Sequence, residues 1–235
     1  MRLAFIDIDN TILDFDAYVQ NTIEEGFRYF SLIPYEPYIC DIFHRENRKL
    51  WNRIEEGTLT FHELEKIRWN TVFSALGIEF DGTVFERYFR EKLYDSAIPV
   101  EGAVQMLQRL RKTYILCAAS NGPYEQQMHR IQLAGMEQYF TYFFISEQVG
   151  AAKPSREFFD AAFQKIRSVE QTDVSVSDTF MIGDSMTSDI KGGADYGMKT
   201  VYFDKRQEGR PDGAYDYYVK SLCEIPGILQ QGEEK

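Results

Sequence analysis

The fold of this chain is decided by residues 3–11, LAFIDIDNT, near its beginning. An apolar run stops there at two carboxylates, Asp7 and Asp9, and the hydroxyl of Thr11 follows. Such a run with an abrupt polar end is typical of a short buried strand, whose carboxyl end is where open α/β sheets place their ligand sites. Because buried carboxylates are unfavourable without a cation or hydrogen-bond donors, the stretch predicts a metal-binding or phosphate-handling site.

Two other structures share this pattern. Aspartates after a strand can form a polar turn or cap a helix. A calcium loop of the EF-hand type also begins with two aspartates at this spacing, but its sixth residue must be glycine, and here it is Ile12. The calcium loop is therefore excluded, and the choice between a turn and a catalytic site depends on the remaining motifs.

Length and composition are those of a globular protein. The 235 residues are 44% hydrophobic and 27% charged, which suits one large α/β domain or a domain with a smaller insertion. The formal net charge of -11 disfavours binding to nucleic acid polymers or to anionic membranes. A local pocket for a small anion is compatible with this charge, and no oligomeric state is indicated.

The three cysteines, Cys40, Cys117 and Cys223, are widely spaced, odd in number and form no CxxC pair. This pattern argues against a disulfide framework or a zinc site and favours a reducing compartment. Cys117 lies within an apolar run and is predicted to pack in the core. The chain shows no charged-then-apolar leader and no run long enough to span a membrane, so the predicted location is cytoplasmic.

Four later apolar runs resemble the first one and alternate with segments of helical spacing. The runs lie at residues 114–119, 142–145, 179–183 and 199–203, and the helical segments include residues 102–112 and 155–166. Continuous apolar strands that alternate with helices indicate a parallel sheet covered on both faces. The predicted fold is therefore α/β, with a Rossmann-like parallel-sheet core.

Residues 15–97 differ from the rest, because apolar residues recur there at helical spacing and no comparable strand run is present. We interpret them as an α-helical cap domain inserted after the first strand. Residues 1–14 and 98–235 are then the core domain. Inserted modules of this kind commonly form lids over active sites.

Polar motifs follow several of the predicted strands, and each by itself has an ordinary explanation as a turn, a solvated lysine or a helix cap. In chain order they are Asp7-x-Asp9-x-Thr11, Ser120-Asn121-Gly122, Lys153-Pro154, and Gly183-Asp184-Ser185 with Asp189. Together they resemble the four motifs of the haloacid dehalogenase (HAD) superfamily, most of whose members are magnesium-dependent phosphohydrolases. The long gap after the first motif resembles the subfamily whose helical cap is inserted at that point.

The resemblance implies roles that suit phosphoryl transfer, which needs a nucleophile, a proton shuttle and positive charge. Asp7 would be the nucleophile and would form an aspartyl-phosphate. Asp9 would protonate the leaving alcohol and then activate water. Lys153 would neutralise the nucleophile and the phosphate together.

The other motif residues are expected to bind the phosphate and a metal ion. The expected phosphate contacts are Thr11, Ser120, Lys153 and the backbone amides near Asn121 and Gly122. Mg²⁺ prefers oxygen ligands, and those implied here are Asp7, Asp184 and the backbone carbonyl of Asp9. Behind these groups, Asp189 would orient Lys153 or a metal-bound water, with Ser185 beside it.

The carboxylate of Asp9 favours phosphate ester hydrolysis, because haloacid dehalogenases and phosphonatases depart from the pattern at this position. The P-type ATPase pattern has a lysine after the nucleophile, where this chain has Ile8. A phosphomutase, which uses the same residues and returns the phosphoryl group to a sugar, stays open. A regulatory protein that binds a phosphorylated ligand without turnover also stays open.

The expected partner is a small phosphorylated metabolite. The first motif with its flanks, Ser120-Asn121-Gly122 with Gln126-Gln127, and residues 144–150 (FISEQVG) resemble the branch of pyrimidine 5′-nucleotidases that act on unusual nucleoside monophosphates. Cap aromatics such as Trp51 and Trp69 can stack on a base, although their helical spacing favours packing inside the cap. Sugar-phosphate phosphatase and phosphoglycolate phosphatase activities are the alternatives.

Overall fold

The computed structural model describes residues 2–231. The chain divides into two compact units, Met1–Asp14 with Ala97–Lys235, and Phe15–Ser96. We call the first the core unit and the second the inserted unit. The sequence interpretation placed the second boundary one residue later, after residue 97. The assignment of the two units as a catalytic core and its cap stays a prediction.

Within residues 2–231, the core unit is built on one sheet of six parallel strands. The strands are β1 (Leu3–Ile6), β2 (Ile115–Ser120), β3 (Tyr142–Ile145), β4 (Phe180–Gly183), β5 (Lys199–Phe203) and β6 (Tyr217–Val219). Their order across the sheet is β3-β2-β1-β4-β5-β6, and all neighbours are parallel. The predicted α/β fold is confirmed, and so are its first five strands. The sequence interpretation missed β6, which is short and lacks a long apolar run.

Helices cover the sheet and form the regular structure of the inserted unit. The inserted unit contains α1 (Phe15–Tyr29), α2 (Tyr38–Glu55), α3 (Phe61–Leu76) and α4 (Gly82–Tyr94). The core unit contains α5 (Ala103–Leu110), α6 (Tyr124–Leu133), α7 (Ser146–Val149), α8 (Arg156–Glu170), a π-helix (Met186–Lys191), α9 (Gly192–Tyr196) and α10 (Ile225–Gln231), besides short 3-10 turns at Glu137–Tyr139 and Leu222–Glu224. Within residues 2–231, none of these helices combines the length and the apolar character needed to cross a membrane.

The side chains of β1 alternate between the two faces of the sheet. Ala4 and Ile6 belong to a buried cluster that α5 and α10 help to form. Leu3 and Phe5 belong to a second buried cluster on the other face, to which α8 contributes. Because both faces are covered, every residue of β1 is apolar, and the first polar side chain appears where the strand ends, at Asp7.

The three cysteines, all of which lie within the described residues, form no disulfide bond. All three are free. Cys117 lies on β2 and is fully buried in the second cluster, so its predicted place in the core is confirmed. Burial raises the pKa of the Cys117 thiol, which keeps it protonated and unsuited to act as a nucleophile.

The inserted unit packs around aromatic side chains. Trp69 of α3 is fully buried, and the centroid of its ring lies 4.2 Å from that of Phe85 and 5.2 Å from that of Phe43. Thr60 and Glu63 form a capping box at the start of α3, which satisfies backbone donors at that helix end. Trp69 is therefore a core residue of the inserted unit and not an exposed surface for base stacking.

Candidate active site

Three neighbouring strands end at the same edge of the sheet and bring predicted site residues together. Asp7 follows β1, and its backbone N–H donates to the carbonyl oxygen of Ile182 on β4 at 2.9 Å. Ser120 is the last residue of β2, and Asp184 directly follows β4. Because β2, β1 and β4 are parallel neighbours, their carboxyl ends form one polar edge, which is where open α/β sheets bind ligands.

Lys153 lies at this edge and is only 1% exposed. Its Nζ donates to Asp7 Oδ1 at 2.7 Å, to Asp189 Oδ1 at 2.6 Å and to the carbonyl oxygen of Ala119 at 2.6 Å. These three acceptors match the three donors of an ammonium group. Burial lowers the pKa of Lys153, but Asp189 and Asp7 outweigh burial and raise that pKa above its ordinary value. Lys153 is therefore a fixed positive charge, and a solvated surface lysine is excluded.

Asp7 is nearly buried, and both of its carboxylate oxygens accept hydrogen bonds. Lys153 donates to Oδ1, and the Thr11 hydroxyl donates to Oδ2 at 3.3 Å. Burial raises the pKa of Asp7 to about 7, against the lowering effect of Lys153. A cation beside the carboxylate would favour its ionised form. Thr11 is itself fully buried and contacts the carboxylate, so its predicted contact with phosphate stays a prediction.

Asp189 is fully buried and hydrogen-bonded at both oxygens. Its Oδ1 accepts from Lys153, and its Oδ2 accepts from the backbone N–H of Ser185 at 3.1 Å. Ser185 also caps the π-helix, because its Oγ accepts from the backbone N–H of Ser188 at 3.1 Å. Gly183 leaves the space that Asp189 fills, since a Cβ at position 183 would lie 2.1 Å from Asp189 Oδ2. These contacts are those expected of a residue that orients Lys153.

The segment after β2 contacts Lys153 and the start of α7, which directly follows β3. Asn121 makes two hydrogen bonds with the backbone of Lys153: its Nδ2 donates to the carbonyl oxygen and its Oδ1 accepts from the N–H, each at 2.8 Å. The backbone N–H of Gly122 donates to Ser146 Oγ at 2.9 Å. The Asn121 side chain and the Gly122 amide thus have structural partners, and their contacts with phosphate stay predictions.

Three carboxylates at the polar edge can hold a metal ion. Oxygen atoms of Asp7, Asp184 and Asp189 lie within 4.8 Å of one another. The Lys153 ammonium balances this negative charge only in part when all three groups are ionised, and a divalent cation would neutralise the remainder. Oxygen donors of this kind are those that Mg²⁺ prefers. The residues present fit Mg²⁺, with Asp7 and Asp184 as the ligands that the resemblance implies, while Asp189 is fully buried and accepts from Lys153.

The side chain of Asp9 contacts helix α6. Its Oδ1 accepts from Arg130 Nη1 at 2.7 Å, and its Oδ2 accepts from Gln127 Nε2 at 2.7 Å. Gln127 Nε2 also donates to the hydroxyl of Ser120 at 2.7 Å. The metal contact predicted for Asp9 involves its backbone carbonyl, and both this contact and the role of its side chain in proton transfer stay predictions.

Sequence reasoning missed Arg130 and gave Gln127 no role in catalysis. The two residues lie three positions apart on α6, and hence on one face of the helix. Both are 1% exposed, and a buried arginine requires an anionic partner. The sequence did contain one signal of such a role, namely an arginine on a helix predicted to pack against the sheet. The identity of its partner, however, depends on the fold.

The chain belongs to the haloacid dehalogenase-like hydrolases, because the model of that family matches residues 1–197. The resemblance carried by the four motifs is therefore confirmed. The HAD-hydrolase YfnB of Bacillus subtilis is 30% identical over 97% of this chain and 95% of its own length. The pyrimidine 5′-nucleotidase PynA of Streptococcus pneumoniae is 31% identical over 98% of this chain and 95% of its own length.

Solved structures share the fold of this chain. A crystal structure of YfnB bound to magnesium has a TM-score of 0.85 and 30% identity, and covers 97% of this chain and 98% of that chain. The L-2-haloacid dehalogenase of Xanthobacter autotrophicus has a TM-score of 0.74 and 16% identity, and covers 98% of this chain and 99% of that chain. Since the second similarity shows the fold alone, the choice of reaction depends on the site residues.

Proposed function

We propose that this hydrolase releases phosphate from phosphomonoesters through an aspartyl-phosphate on Asp7, and that its substrates are pyrimidine nucleoside 5′-monophosphates. The observation that carries the proposal is the pair of carboxylates two residues apart. Asp7 is hydrogen-bonded to the buried Lys153 ammonium, and Asp9 is linked through Gln127 to Ser120. An alkyl ester needs a proton on its leaving oxygen, which Asp9 can supply. Halide release needs no such proton, so the fold shared with a dehalogenase does not extend to its reaction.

The proposed reaction has two steps, and one carboxyl group serves in both. In the first step, an Asp7 oxygen attacks phosphorus while the bond to the leaving oxygen breaks, and Asp9 gives its proton to the departing alcohol. In the second step, Asp9 takes a proton from a water molecule that attacks the phosphorus of the aspartyl-phosphate. Inorganic phosphate leaves, and the Asp7 carboxylate and the Asp9 carboxyl are restored.

Lys153 and its partners provide fixed positive charge for this transfer. The raised pKa of Lys153 keeps its ammonium protonated at neutral pH, and the Asp189 carboxylate holds it against Asp7. Such a preorganised cation stabilises charge on the transferring oxygens without reorientation during the reaction. The Ser120 hydroxyl accepts from Gln127, so its own hydrogen can be donated to a phosphate oxygen.

The proposal includes Mg²⁺, held by Asp7, Asp184 and the backbone carbonyl of Asp9. Support comes from the oxygen donors at the strand edge and from the structure of the relative YfnB, which was solved bound to magnesium. When bound, Mg²⁺ would neutralise negative charge on the phosphoryl oxygens. It would also favour the ionised form of Asp7, whose pKa is otherwise raised by burial.

The nucleotide assignment rests on the relative PynA, a pyrimidine 5′-nucleotidase similar over nearly the whole chain. The phrase at residues 144–150, which also resembles that branch, has structural contacts in this protein. Ser146 accepts from the backbone N–H of Gly122 at 2.9 Å, and Glu147 accepts from that of Tyr124 at 2.7 Å. These contacts place the phrase at the start of α6. The net charge of -11 supports a small metabolite over a nucleic acid polymer.

The test is phosphate release from a panel of phosphomonoesters, with Mg²⁺ and with a chelator. The panel contains pyrimidine and purine nucleoside monophosphates, sugar phosphates and phosphoglycolate. We expect Mg²⁺-dependent release that is fastest for pyrimidine monophosphates and absent in Asp7→Asn. Asp178→Asn, at an exposed aspartate of the same unit, is the matched control and should behave as the wild type.

Other outcomes separate the parts of the proposal. Faster release from a sugar phosphate would replace the nucleotide assignment and keep the hydrolase mechanism. An isomerised sugar phosphate without free phosphate would establish a phosphomutase. Equal background release from the wild type and from Asp7→Asn would refute the mechanism and favour a protein that binds phosphorylated ligands without turnover.

A further inference from the structure

We propose that Gln127 and Arg130 are positioning residues for this reaction, because together they fix the carboxylate of Asp9 and link it to the hydroxyl of Ser120. The inference deepens the proposed hydrolysis and rests on it. None of the four predicted motifs includes Arg130. The network that it forms with the first and second motifs therefore adds a fifth element, helix α6, to the site.

Four hydrogen bonds connect the four side chains. Arg130 Nη1 donates to Asp9 Oδ1 at 2.7 Å and to Gln127 Oε1 at 2.8 Å. Gln127 Nε2 donates to Asp9 Oδ2 and to Ser120 Oγ, each at 2.7 Å. A guanidinium can only donate, so it must face the oxygen of the Gln127 amide. The amide nitrogen then faces the two remaining acceptors, and the amide can satisfy all its neighbours in this orientation alone.

Burial shows which members of the network hold the others. Gln127 and Arg130 are each 1% exposed, whereas the Asp9 side chain is 31% exposed. Helix α6 is anchored to the sheet core by the fully buried Ile131. The buried Arg130 guanidinium donates to Asp9 Oδ1 and so fixes that oxygen against α6. Asp9 is thus tied at both oxygens to a rigid element and still has surface that a ligand can reach.

The network couples phosphate contact to proton transfer. Ser120 and Asp9 share one donor, the Gln127 amide nitrogen, so the phosphate-binding hydroxyl and the proton-donating carboxyl have a fixed relative placement. A proton donor must lie within hydrogen-bond reach of the leaving oxygen, and a displacement of about 1 Å can be costly for rate. Removing the amide frees one oxygen of Asp9. The loss should therefore appear in the step in which Asp9 gives up its proton.

The test compares Gln127→Leu with Gln132→Leu. Gln132 lies on the same helix, is exposed, and donates to Glu137, so the same substitution there should leave turnover unchanged. With Mg²⁺ present, kcat/KM is measured for a pyrimidine nucleoside 5′-monophosphate and for 4-nitrophenyl phosphate. The alkoxide of the first ester needs a proton to leave, whereas the phenolate of the second leaves without one. The constant kcat/KM includes only the steps up to and including the first irreversible one. It therefore reports the phosphorylation of Asp7 and not the later attack by water.

We expect Gln127→Leu to lower kcat/KM about 100-fold for the nucleotide and less than about 5-fold for the aryl ester, since general acid catalysis contributes about 10² to 10⁴-fold. Arg130→Lys keeps a positive charge but loses the planar fork of donors. It should lower kcat/KM for the nucleotide about 10-fold, because the proton donor would be only partly displaced. The loss for the aryl ester should again be smaller. If Gln127→Leu fails to fold, as judged by thermal unfolding, the ratio for Arg130→Lys decides the inference.

Two outcomes would overturn the inference and are distinguishable. Wild-type turnover with equal losses on the two esters in both variants, or with no loss, would show that α6 only supports the fold. A wild type that releases no phosphate from either ester would refute the proposed function and, with it, the role of the network.

Discussion

Replacing Gly183 by alanine tests how tightly the structure holds Asp189 against Lys153. A Cβ at position 183 would lie 2.1 Å from Asp189 Oδ2, 2.4 Å from its Cγ and 2.7 Å from its Cβ. Rotation of a flexible chain end cannot relieve these contacts, because Asp189 is fully buried and hydrogen-bonded at both oxygens. The Asp189 carboxylate must therefore move away from Lys153 and from the backbone N–H of Ser185.

We expect Gly183→Ala to lower the free energy of unfolding by about 2.5 to 6 kcal/mol, from overpacking and a lost hydrogen bond together. Overpacking of a well-packed site costs about 1 to 3 kcal/mol, and a hydrogen bond to a charged group contributes about 1.5 to 3 kcal/mol. Where space is open, the same substitution would stabilise the protein by about 0.4 to 1 kcal/mol, because it restricts the unfolded chain. The expected loss is a large fraction of the free energy of unfolding of a typical domain, which is about 5 to 15 kcal/mol.

The assay is equilibrium unfolding in urea, combined with Mg²⁺-dependent phosphate release. Gly227→Ala is the matched control, because a Cβ at position 227 on α10 would meet nothing within 4 Å. The control should retain full stability and turnover, whereas Gly183→Ala should lose turnover as Lys153 is displaced from Asp7. Stability of Gly183→Ala within about 1 kcal/mol of the wild type, with turnover unchanged, would refute the reasoning.

Three further predictions address proton transfer, ionisation and the inserted unit. Asp9→Ala should nearly abolish release from nucleoside monophosphates but spare phosphorylation of Asp7 by acyl phosphates, whose leaving group needs little protonation; unchanged nucleotide hydrolysis would remove the acid/base role. Without a bound metal ion, the pKa of Asp7 is about 7 and lies above its ordinary value of 3.8. The folded state therefore binds this proton more tightly than the unfolded state does, and the measurement is made in the presence of a chelator. The contribution of Asp7 to the free energy of unfolding should then fall as pH rises from about 4 to about 7. Urea unfolding at several pH values in this range measures the change, and the free energy of unfolding should depend less steeply on pH in Asp7→Asn than in the wild type. An equal dependence on pH in the two proteins would contradict the assignment. Glu86→Gln should destabilise the inserted unit by about 3 to 5 kcal/mol, because Glu86 and Arg68 form a buried ion pair with Nε and Oε2 3.0 Å apart. Glu79→Gln, at an exposed glutamate of the same unit, is the control in urea unfolding, and equal stability of the two variants would count against a buried pair.

The strands that carry the site were predictable from local patterns in the sequence. A strand covered on both faces must be apolar throughout, so its end is visible as the first polar residue. This rule located Asp7, Ser120 and Asp184 at strand ends, and a parallel sheet brings such ends to one edge. The helical insertion was visible for a similar reason, because apolar residues at helical spacing depend only on near neighbours. By contrast, the short strand β6 has too few apolar residues to be recognised in this way.

The geometry of the contacts that define the chemistry was decided by the tertiary structure, although the family resemblance already implied that Lys153 meets Asp7 and Asp189. The sequence shows Lys153 as a lysine before a proline, and its burial between Asp7 and Asp189 follows from the order of the strands. Arg130 resembles any charged residue on a helix until the sheet places Asp9 beside it. Hydrophobic periodicity specifies elements one at a time, whereas an ion pair depends on how remote elements pack. The sequence by itself therefore determined most of the elements, the motifs and the family, and the fold determined the geometry in which the charges meet.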